Sequence, residues 1–385
     1  MKVGIITFHR ANNFGALLQA YALVSKIKEL GHEGVIIDWH SPHIENAYHA
    51  PVRWRPNPIS FLRPLCPKIP IRRHLWARWI QDRKTRICFD KFRKHLPLTA
   101  PCRSRKELIA HTQDIDCFIA GSDQIWNPKL SGEKIENFDR TFFLDFVNDN
   151  KKKNAYSASI GLKNIDASVV DEVARLIKQF HRITMREASG ASFIEKLIER
   201  EIPVTLDPVF LQSKEFWTHL AESTANPWRD KKYIFVYPLV HSSFLWNQAK
   251  IFAQQHKCEI ITCTKPETTL HVKAIHASHI GPLEMVQLIA SAEAIFTNSF
   301  HGSAMSMLLE KRLFLEIDDI PRKPNTRFDS LFDLMELPRE HAVAAREDSS
   351  TLFEFDTSQR TAFAKNLERE RSLSLENLDR ILVSP

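Results

Sequence analysis

The stretch Val3-Gly4-Ile5-Ile6-Thr7-Phe8-His9-Arg10-Ala11-Asn12-Asn13-Phe14-Gly15-Ala16-Leu17-Leu18 carries an apolar run, a polar loop and the start of a second apolar pattern with a different period. Val3 to Phe8 reads as a strand and His9 to Phe14 as a loop. Gly15 to Leu30 reads as a helix, because Leu17, Leu18, Tyr21, Leu23, Val24 and Ile27 share one broad face. Gly31 supplies a stop, and Val35 to Asp38 is a second strand. Strand, helix and strand in this order make a βαβ unit, which commits the chain to a parallel sheet with helices on its faces.

The alternation breaks between Ser41 and Pro101, where prolines at 42, 51, 56, 58, 64, 67 and 70 exclude long regular elements. The later part of this insertion, Ile71 to His95, spaces Leu75, Trp76, Trp79, Ile80, Ile87 and Phe89 almost helically among basic residues. An amphipathic helix covering the sheet is expected there. Alternation then resumes. Strands are expected at Asp116–Ala120, Asn154–Ser159, Arg182–Met185 and Val204–Leu206, with helices at Ser168–Phe180 and Ala188–Arg200. A second series follows the polar stretch Ala221–Asp230: strand Tyr233–Tyr237, helix Phe244–His256, strand Glu259–Cys263, helix Pro282–Ser291, strand Ala294–Thr297, helix Gly302–Lys311 and strand Leu313–Ile317.

The expected architecture is therefore α/β with two Rossmann-like domains, one at 1–212 with the basic, Pro-rich insertion near 41–101, the other at 213–357. A last helix, Ser358 to Leu382 within 358–385, is expected to pack back across them. A chain of 385 residues agrees with two cores rather than one. Ligands of such sheets bind beyond the C-terminal ends of the strands, so the loops that follow strands are where chemistry is sought.

Composition narrows the class. Hydrophobic content of 43% and charged content of 26% are those of a globular protein. The N-terminus carries no charged leader with a cleavage site, and no apolar run approaches the roughly 18 residues of a spanning helix. Six cysteines without a Cys-x-x-Cys pair point to a reducing cytosol, and 17 histidines without His-Glu-x-x-His spacing give no reason to expect a metal. The net charge of +7 is regional: from Arg53 to Lys106 there are 16 Lys or Arg against 2 acidic residues. Nucleic acid, anionic lipid and a polyanionic substrate all remain open as partners of that patch.

Four strand-end segments hold the candidate chemistry. His9 to Gly15 precedes a helix whose N-terminus favours an anion, although Asn12 and Asn13 are equally natural turn formers, and neither G-x-G-x-x-G nor a phosphate-loop Lys-Ser/Thr is present. Gly121-Ser122-Asp123-Gln124-Ile125-Trp126-Asn127-Pro128 combines amides, a carboxylate and a Trp. A Trp face suits a pyranose while Asp123, Gln124 and Asn127 bond its hydroxyls, and a capped turn over a buried Trp is the competing reading. Arg186-Glu187 places a guanidinium at a strand end, either to fork onto a carboxylate or phosphate or to pair with Glu187 in solvent. Thr297-Asn298-Ser299-Phe300-His301-Gly302 is the strongest: helix N–H groups for an anion, with His301 as proton donor or imidazolium, against the plainer role of a cap. Downstream, Arg322, Lys323, Asn325 and Arg327 either line the cleft or face water.

Taken together these segments resemble the polysaccharide pyruvyl transferase family. The likeness is carried by Asn13 to Leu23, Gly121 to Pro128, Tyr156-Ser157-Ala158-Ser159-Ile160-Gly161 and Thr297 to Gly302, with Arg186-Glu187 and Leu206-Asp207-Pro208 in addition. It covers roughly residues 1 to 335, leaving the insertion and the tail less well matched. The resemblance implies a GT-B-like arrangement with the active cleft between the domains. It implies transfer of an enolpyruvyl group from phosphoenolpyruvate to a saccharide diol, giving a cyclic pyruvate ketal in capsule, exopolysaccharide or cell-wall synthesis. It makes His301 and Arg186 the catalytic candidates and Asn298, Ser299, Gly302 and Arg327 the donor-binding ones. Asn13, Gly15, Asp123, Gln124 and Trp126 become acceptor or cleft contacts. Phosphoenolpyruvate is then a co-substrate, with no cofactor, metal or nucleic acid called for. The acceptor could be lipid-linked, with the enzyme cytoplasmic and Arg72 to Lys94, Trp76 and Trp79 against an anionic membrane, where each basic residue contributes about 1 kcal/mol. A nucleotide-sugar glycosyltransferase and a non-catalytic saccharide- or polyanion-binding protein remain the alternatives.

Overall fold

Apolar strands flanked by polar loops build two parallel sheets. The computed structural model describes residues 1–48, 83–132, 134–148, 151–162, 165–264, 271–317, 326–338, 342–343 and 357–383. Trp76, Trp79, Arg322, Lys323 and Asn325, and with them the membrane-facing expectation for the start of the basic helix, lie outside the described residues.

The first unit runs β1 (Lys2–Ile6), α1 (Phe14–Glu29), β2 (Glu33–Ile36), α2 (Pro42–Tyr48), α3 (83–93), α4 (Arg105–His111), β3 (Cys117–Ala120), α5 (Pro128–Ser131), β4 (Lys152–Ala158), α6 (Val170–Ile177), β5 (Arg182–Met185) and α7 (Ala188–Ile198). Its strands lie in the order β2-β1-β3-β4-β5, all parallel. Near-continuous burial along β3 and β4 is what a parallel sheet covered on both faces requires. Val204–Leu206, expected as a strand, makes only an isolated bridge from Val204 to Met185. Prolines at 203 and 208 bracket it, and proline lacks the N–H a ladder needs.

The second unit runs α8 (Lys214–Glu222), β6 (Tyr233–Tyr237), α9 (Ser243–His256), β7 (Glu259–Thr262), β8 (Ile275–His276), α10 (Pro282–Ser291), β9 (Ala294–Thr297), α11 (Phe300–Leu308), β10 (Arg312–Glu316), α12 (Thr326–Met335) and β11 (Ala342–Val343). Its sheet is β11-β10-β9-β6-β7-β8, again parallel. Relative to its own first strand this is the order 3-2-1-4-5-6 of a Rossmann fold. The chain thus consists of two Rossmann-like α/β units. In each sheet the strand order reverses at one point, between β1 and β3 in the first and between β6 and β9 in the second. Ligand crevices of open α/β sheets form at such points.

The two units share one core. Val3, Ile5 and Leu23 of the first pack in the same buried cluster as Phe235, Met285, Ile295 and Met305 of the second. The 3-10 turn Pro208–Leu211, fully buried, sits between them, and Gln212 Nε2 donates to Ala22 O (3.1 Å). The final helix α13 (Thr357–Val383) reaches both sides: Ser374 Oγ accepts from Leu206 N (3.0 Å), Arg371 Nε donates to Phe210 O (2.8 Å), and Asn366 Nδ2 donates to Met335 O (3.0 Å).

The described part of the basic helix covers α1. Phe89 meets Phe14 (ring centroids 5.0 Å apart) and Phe92 meets Tyr21 (5.6 Å). Arg93, far from being a surface charge, is buried and clamps the β1–α1 loop, donating to the carbonyls of His9 (3.0 Å), Arg10 (3.0 Å) and Ala11 (3.2 Å) and to Asn12 Oδ1 (2.7 Å). The same loop is pinned from below by buried Asp38, which accepts from His9 Nε2 (2.9 Å) and from Arg10 Nε (2.6 Å) and Nη2. Burial pushes the Asp38 carboxyl up, but the bonds and charges of His9 and Arg10 outweigh it and leave it well below the usual carboxylate range. Among the described residues no helix is long and apolar enough to cross a membrane, and no group of three or more His, Cys, Asp or Glu is arranged to hold a metal ion.

Candidate active site

Strand β9 ends at Thr297, whose Oγ1 donates to Tyr237 O (2.6 Å) at the end of β6 and so closes the second sheet at its reversal point. The chain then turns into α11 through Asn298 and Ser299. Asn298 Oδ1 accepts from Leu239 N (2.7 Å) and Val240 N (3.1 Å), while its Nδ2 donates to Val240 O (2.7 Å). Ser299 Oγ accepts from Gly302 N (3.3 Å), and Ser299 O accepts from Ser303 N (2.9 Å). The side chains of Asn298 and Ser299 and the N–H of Gly302, expected as donor-binding groups, are therefore engaged by the polypeptide itself. In the structure they hold the turn together: a polar cluster at a helix start satisfies its own backbone first.

That scaffold projects Phe300 and His301 toward the first unit. His301 is 7% exposed and lies against Gly15, at the start of α1, where a Cβ would overlap the imidazole at Nδ1 and Cγ. Its Nε2 is 3.3 Å from Asp207 Oδ2 but makes no aligned hydrogen bond to any described group. The Phe300 ring stands edge-on to His301 (5.3 Å) and carries two guanidinium groups, Arg186 at 5.0 Å and Arg327 at 5.7 Å from its centroid.

Arg186 follows β5 directly. Its Nη1 donates to Asp207 Oδ2 (2.7 Å), its Nη2 reaches Asp123 Oδ1 (3.4 Å), and its buried Nε has no hydrogen-bond partner among the described residues. The solvent-exposed Arg186–Glu187 pair does not occur. Both residues are buried, and Glu187 Oε1 instead accepts from Ser159 Oγ (3.0 Å), Ile160 N (2.9 Å) and Gly161 N (3.1 Å). Burial works against the Arg186 charge, but Asp207, Asp123 and Glu187 more than compensate, so its pKa lies above the ordinary value. Arg327 is different: burial pushes it down to about 10, the like charge of Arg186 adds to this, and Asp123, Glu187 and Asp207 only partly offset both. Helix α12, which carries Arg327, docks on α7 of the first unit through Ala188 N donating to Ser330 Oγ (2.8 Å).

Asp207 is the residue that sequence reasoning left without a role. Its side chain is completely buried. Oδ1 caps the 3-10 turn by accepting from Val209 N (3.1 Å), and Oδ2 faces Arg186, His301 and Ser122 Oγ (3.4 Å). Burial raises the carboxyl; the charges and contacts of His301 and Arg186 reverse this and hold it far below the usual carboxylate range. The Asp-Pro that ends a short apolar run was visible, but read locally it signals only a cap.

The first sheet contributes at its own reversal point. Thr7 Oγ1, at the end of β1, donates to Ser122 O (3.1 Å) after β3, and Gln19 bridges both sides, donating to Thr7 Oγ1 (2.8 Å) and accepting from Ser122 N (3.1 Å). Asp123 takes a left-handed conformation (φ 74°), uncommon outside glycine and tolerated by Asp, and keeps 15% of its side chain exposed beside Arg186. Gln124 Oε1 is occupied by Asn127 Nδ2 (3.1 Å), and Asn13 Oδ1 caps α1 by accepting from Ala16 N (3.1 Å). Of the expected acceptor contacts, Asp123 and Gly15 adjoin Arg186 and His301, while Asn13 and Gln124 support the loops.

Trp126 corrects outright. It is completely buried, its Nε1 donates to Phe142 O (3.2 Å), and its ring is stacked on Phe143 (5.8 Å, 9°) and edge-on to Phe180 (5.3 Å), leaving no face for a sugar. Trp126→Phe is expected to cost about 1–2 kcal/mol of stability, the price of one buried hydrogen bond and some packing. Any KM for a saccharide should stay unchanged; a rise in KM without loss of stability would return Trp126 to the ligand.

The family model described as Polysaccharide pyruvyl transferase matches residues 13–315. No curated protein matches the chain. Among solved structures, the chain is similar to a putative UDP-N-acetylglucosamine 2-epimerase from Listeria monocytogenes (10% identity, 99% of this chain and 89% of that one, TM-score 0.49). It is also similar to the UDP-GlcNAc 2-epimerase of Neisseria meningitidis (11%, 99% and 100%, TM-score 0.48) and to an E. coli heptosyltransferase (12%, 95% and 99%, TM-score 0.39).

Proposed function

Because the chain belongs to the polysaccharide pyruvyl transferase family, we propose that it moves the enolpyruvyl group of phosphoenolpyruvate onto two hydroxyls of a saccharide, forming a cyclic pyruvate ketal and releasing phosphate. The observation that carries this reading is the convergence of Arg186, Arg327 and His301 around the Phe300 ring. Phosphoenolpyruvate bears a carboxylate and a phosphate on one carbon. Its recognition calls for two cationic centres side by side and a proton donor at the neighbouring carbon, and the cluster offers these three groups.

In this reading His301 protonates C3 of the enol, C2 becomes electrophilic, and the first sugar hydroxyl adds to it. Loss of the phosphate breaks the C2–O bond, and the second hydroxyl closes the ring. Of the two protons the diol gives up, one replaces that spent on C3 and the other leaves with phosphate. Arg186 and Arg327 bind the donor and stabilise charge on the departing phosphate in a site shielded from water, where fixed cations act most strongly. Asp123 is the carboxylate open to the acceptor side. The acceptor class is a saccharide of capsule, exopolysaccharide or cell-wall synthesis, in lipid-linked form at the inner membrane face.

The test is mass spectrometry of candidate saccharides incubated with the protein and phosphoenolpyruvate. A gain equal to pyruvic acid less water, accompanied by phosphate release only when acceptor is present, is expected. Turnover of a nucleotide sugar by the same preparation, with phosphoenolpyruvate left untouched, would overturn the proposal.

A further inference from the structure

Among the described residues Asp207 is the carboxylate that contacts both Arg186 of the first unit and His301 of the second, beside the Phe300 ring that also touches both. A carboxylate buried so completely is costly to keep unless its partners are fixed around it. It is fixed by three elements: the 3-10 turn it caps through Val209 N, the end of β5 through Arg186, and the loop after β3 through Ser122. The turn is itself held by α13, through Arg371 to Phe210 O and Ser374 to Leu206 N. The carboxylate is therefore a rigid reference point rather than a mobile counter-ion.

What it leaves undone is informative. Among the described residues neither Arg186 Nε nor His301 Nε2, both buried, has an aligned hydrogen-bond partner, although each belongs to a side chain that Asp207 holds in place. Buried donors of this kind are normally paired, and two beside one another mark room for an acceptor that Asp207 does not supply. The other charged groups of the cluster, Arg327, Asp123 and Glu187, surround Arg186. Glu187 is committed to the loop at 159–161 and Asp123 faces Arg186, and among the described residues Asp207 is the carboxylate paired with the imidazole.

We propose that Asp207 is a positioning residue: it aligns Arg186 and His301 as one assembly across the two units and keeps the imidazole proton on Nε2, facing the donor. This rests on the pyruvyl transfer reading for its chemistry. As C3–H forms from the enol electron pair, the Nε2–H bond breaks and its pair stays on nitrogen. The proton lost by a sugar hydroxyl restores it. Asp207 neither gains nor loses a proton.

The experiment compares Asp207→Asn, His301→Gln and the double variant in acceptor-dependent phosphate release, alongside thermal stability. Asp207→Asn is expected to lower kcat about 30-fold, within the roughly 100-fold that a 1 Å misplacement costs, with the KM for saccharide unchanged. The double variant should be no slower than His301→Gln alone, because residues acting as a unit are not additive. A kcat within threefold of wild type, or full additivity of the two losses, overturns the proposal. A second measurement needs no turnover: the imidazole 15N resonances of the wild-type protein, with His301 assigned by its loss in the folded His301→Gln variant. A ring carrying a proton on Nε2 is expected, and a ring protonated only on Nδ1 overturns the proposal. Absence of phosphoenolpyruvate turnover in the wild type would fault the reaction, while the 15N result would still decide the role of Asp207.

Discussion

Gly15→Ala is expected to lower turnover by at least about 100-fold while leaving the protein folded. In isolation the change favours the helix, since alanine is the better helix former by about 1 kcal/mol and Gly15 lies in the first turn of α1. The cost comes from the other unit. The added Cβ would overlap the His301 ring and lie 2.8 Å from His301 Cβ. His301 cannot simply step back, because it sits in the first turn of α11, whose start is fixed by the Ser299 cap and the Thr297 tie to β6. Either the imidazole rotates or the units part. Both move Nε2 away from Asp207 and Arg186, and a displacement of about 1 Å at a reacting group is enough for a 100-fold loss. The check is kcat measured beside a melting curve. Near-normal kcat in a stable variant would mean that the close approach of Gly15 to His301 has no bearing on the reaction.

Much of the fold can be read from local signals because in this chain they are strong. The strands Arg182–Met185, Tyr233–Tyr237 and Ala294–Thr297 and the helix Pro282–Ser291 begin and end where the residue pattern says they should. In each case an apolar run is bounded by charge, Pro or a polar loop. Helix α12 is less legible: Phe328, Leu331, Phe332 and Met335 recur at helical spacing, but the run is short and the cationic, Pro-containing stretch before it reads as a loop. What cannot be read is which neighbours arrive from elsewhere. Trp126 among amides looks the same whether it stacks on a sugar or on Phe143, and only the packing of 138–143 decides.

The site divides along the same line. Arg186 and His301 stand out in the sequence as polar groups at strand ends, where open α/β sheets bind ligands. Asn298, Ser299 and Gly302 stand out for the same reason, yet their polar atoms are engaged by the backbone around them. Asp207 was hidden by the opposite effect. Its local role as a cap is real, and its second oxygen acquires meaning only when the two units meet.

Arg186→Met should produce the largest loss of stability. Methionine fills a similar volume but removes the guanidinium that bonds Asp207 at 2.7 Å, and stripping a buried ion pair of one member typically costs about 3–5 kcal/mol, since the remaining charge loses its bonded partner. Phosphoenolpyruvate turnover should vanish with it. Two further readouts separate this mechanism from loss of packing. Asp207→Asn in the Arg186→Met background should recover part of the stability, because it removes the stranded charge; a purely steric defect would gain nothing. The pH dependence should differ as well. In the wild type the Asp207 carboxyl is depressed, so its stabilisation is complete above the unfolded value of about 3.9 and disappears as pH falls through the lower folded value. Without Arg186 one of the two partners that depress that carboxyl is gone while His301 remains, so the carboxyl is depressed less and the variant should lose less than the wild type on acidification. The gap between the two melting temperatures should therefore narrow below about pH 4, and a gap that stays constant from pH 7 to pH 3 would place the damage in packing rather than in the Asp207 charge.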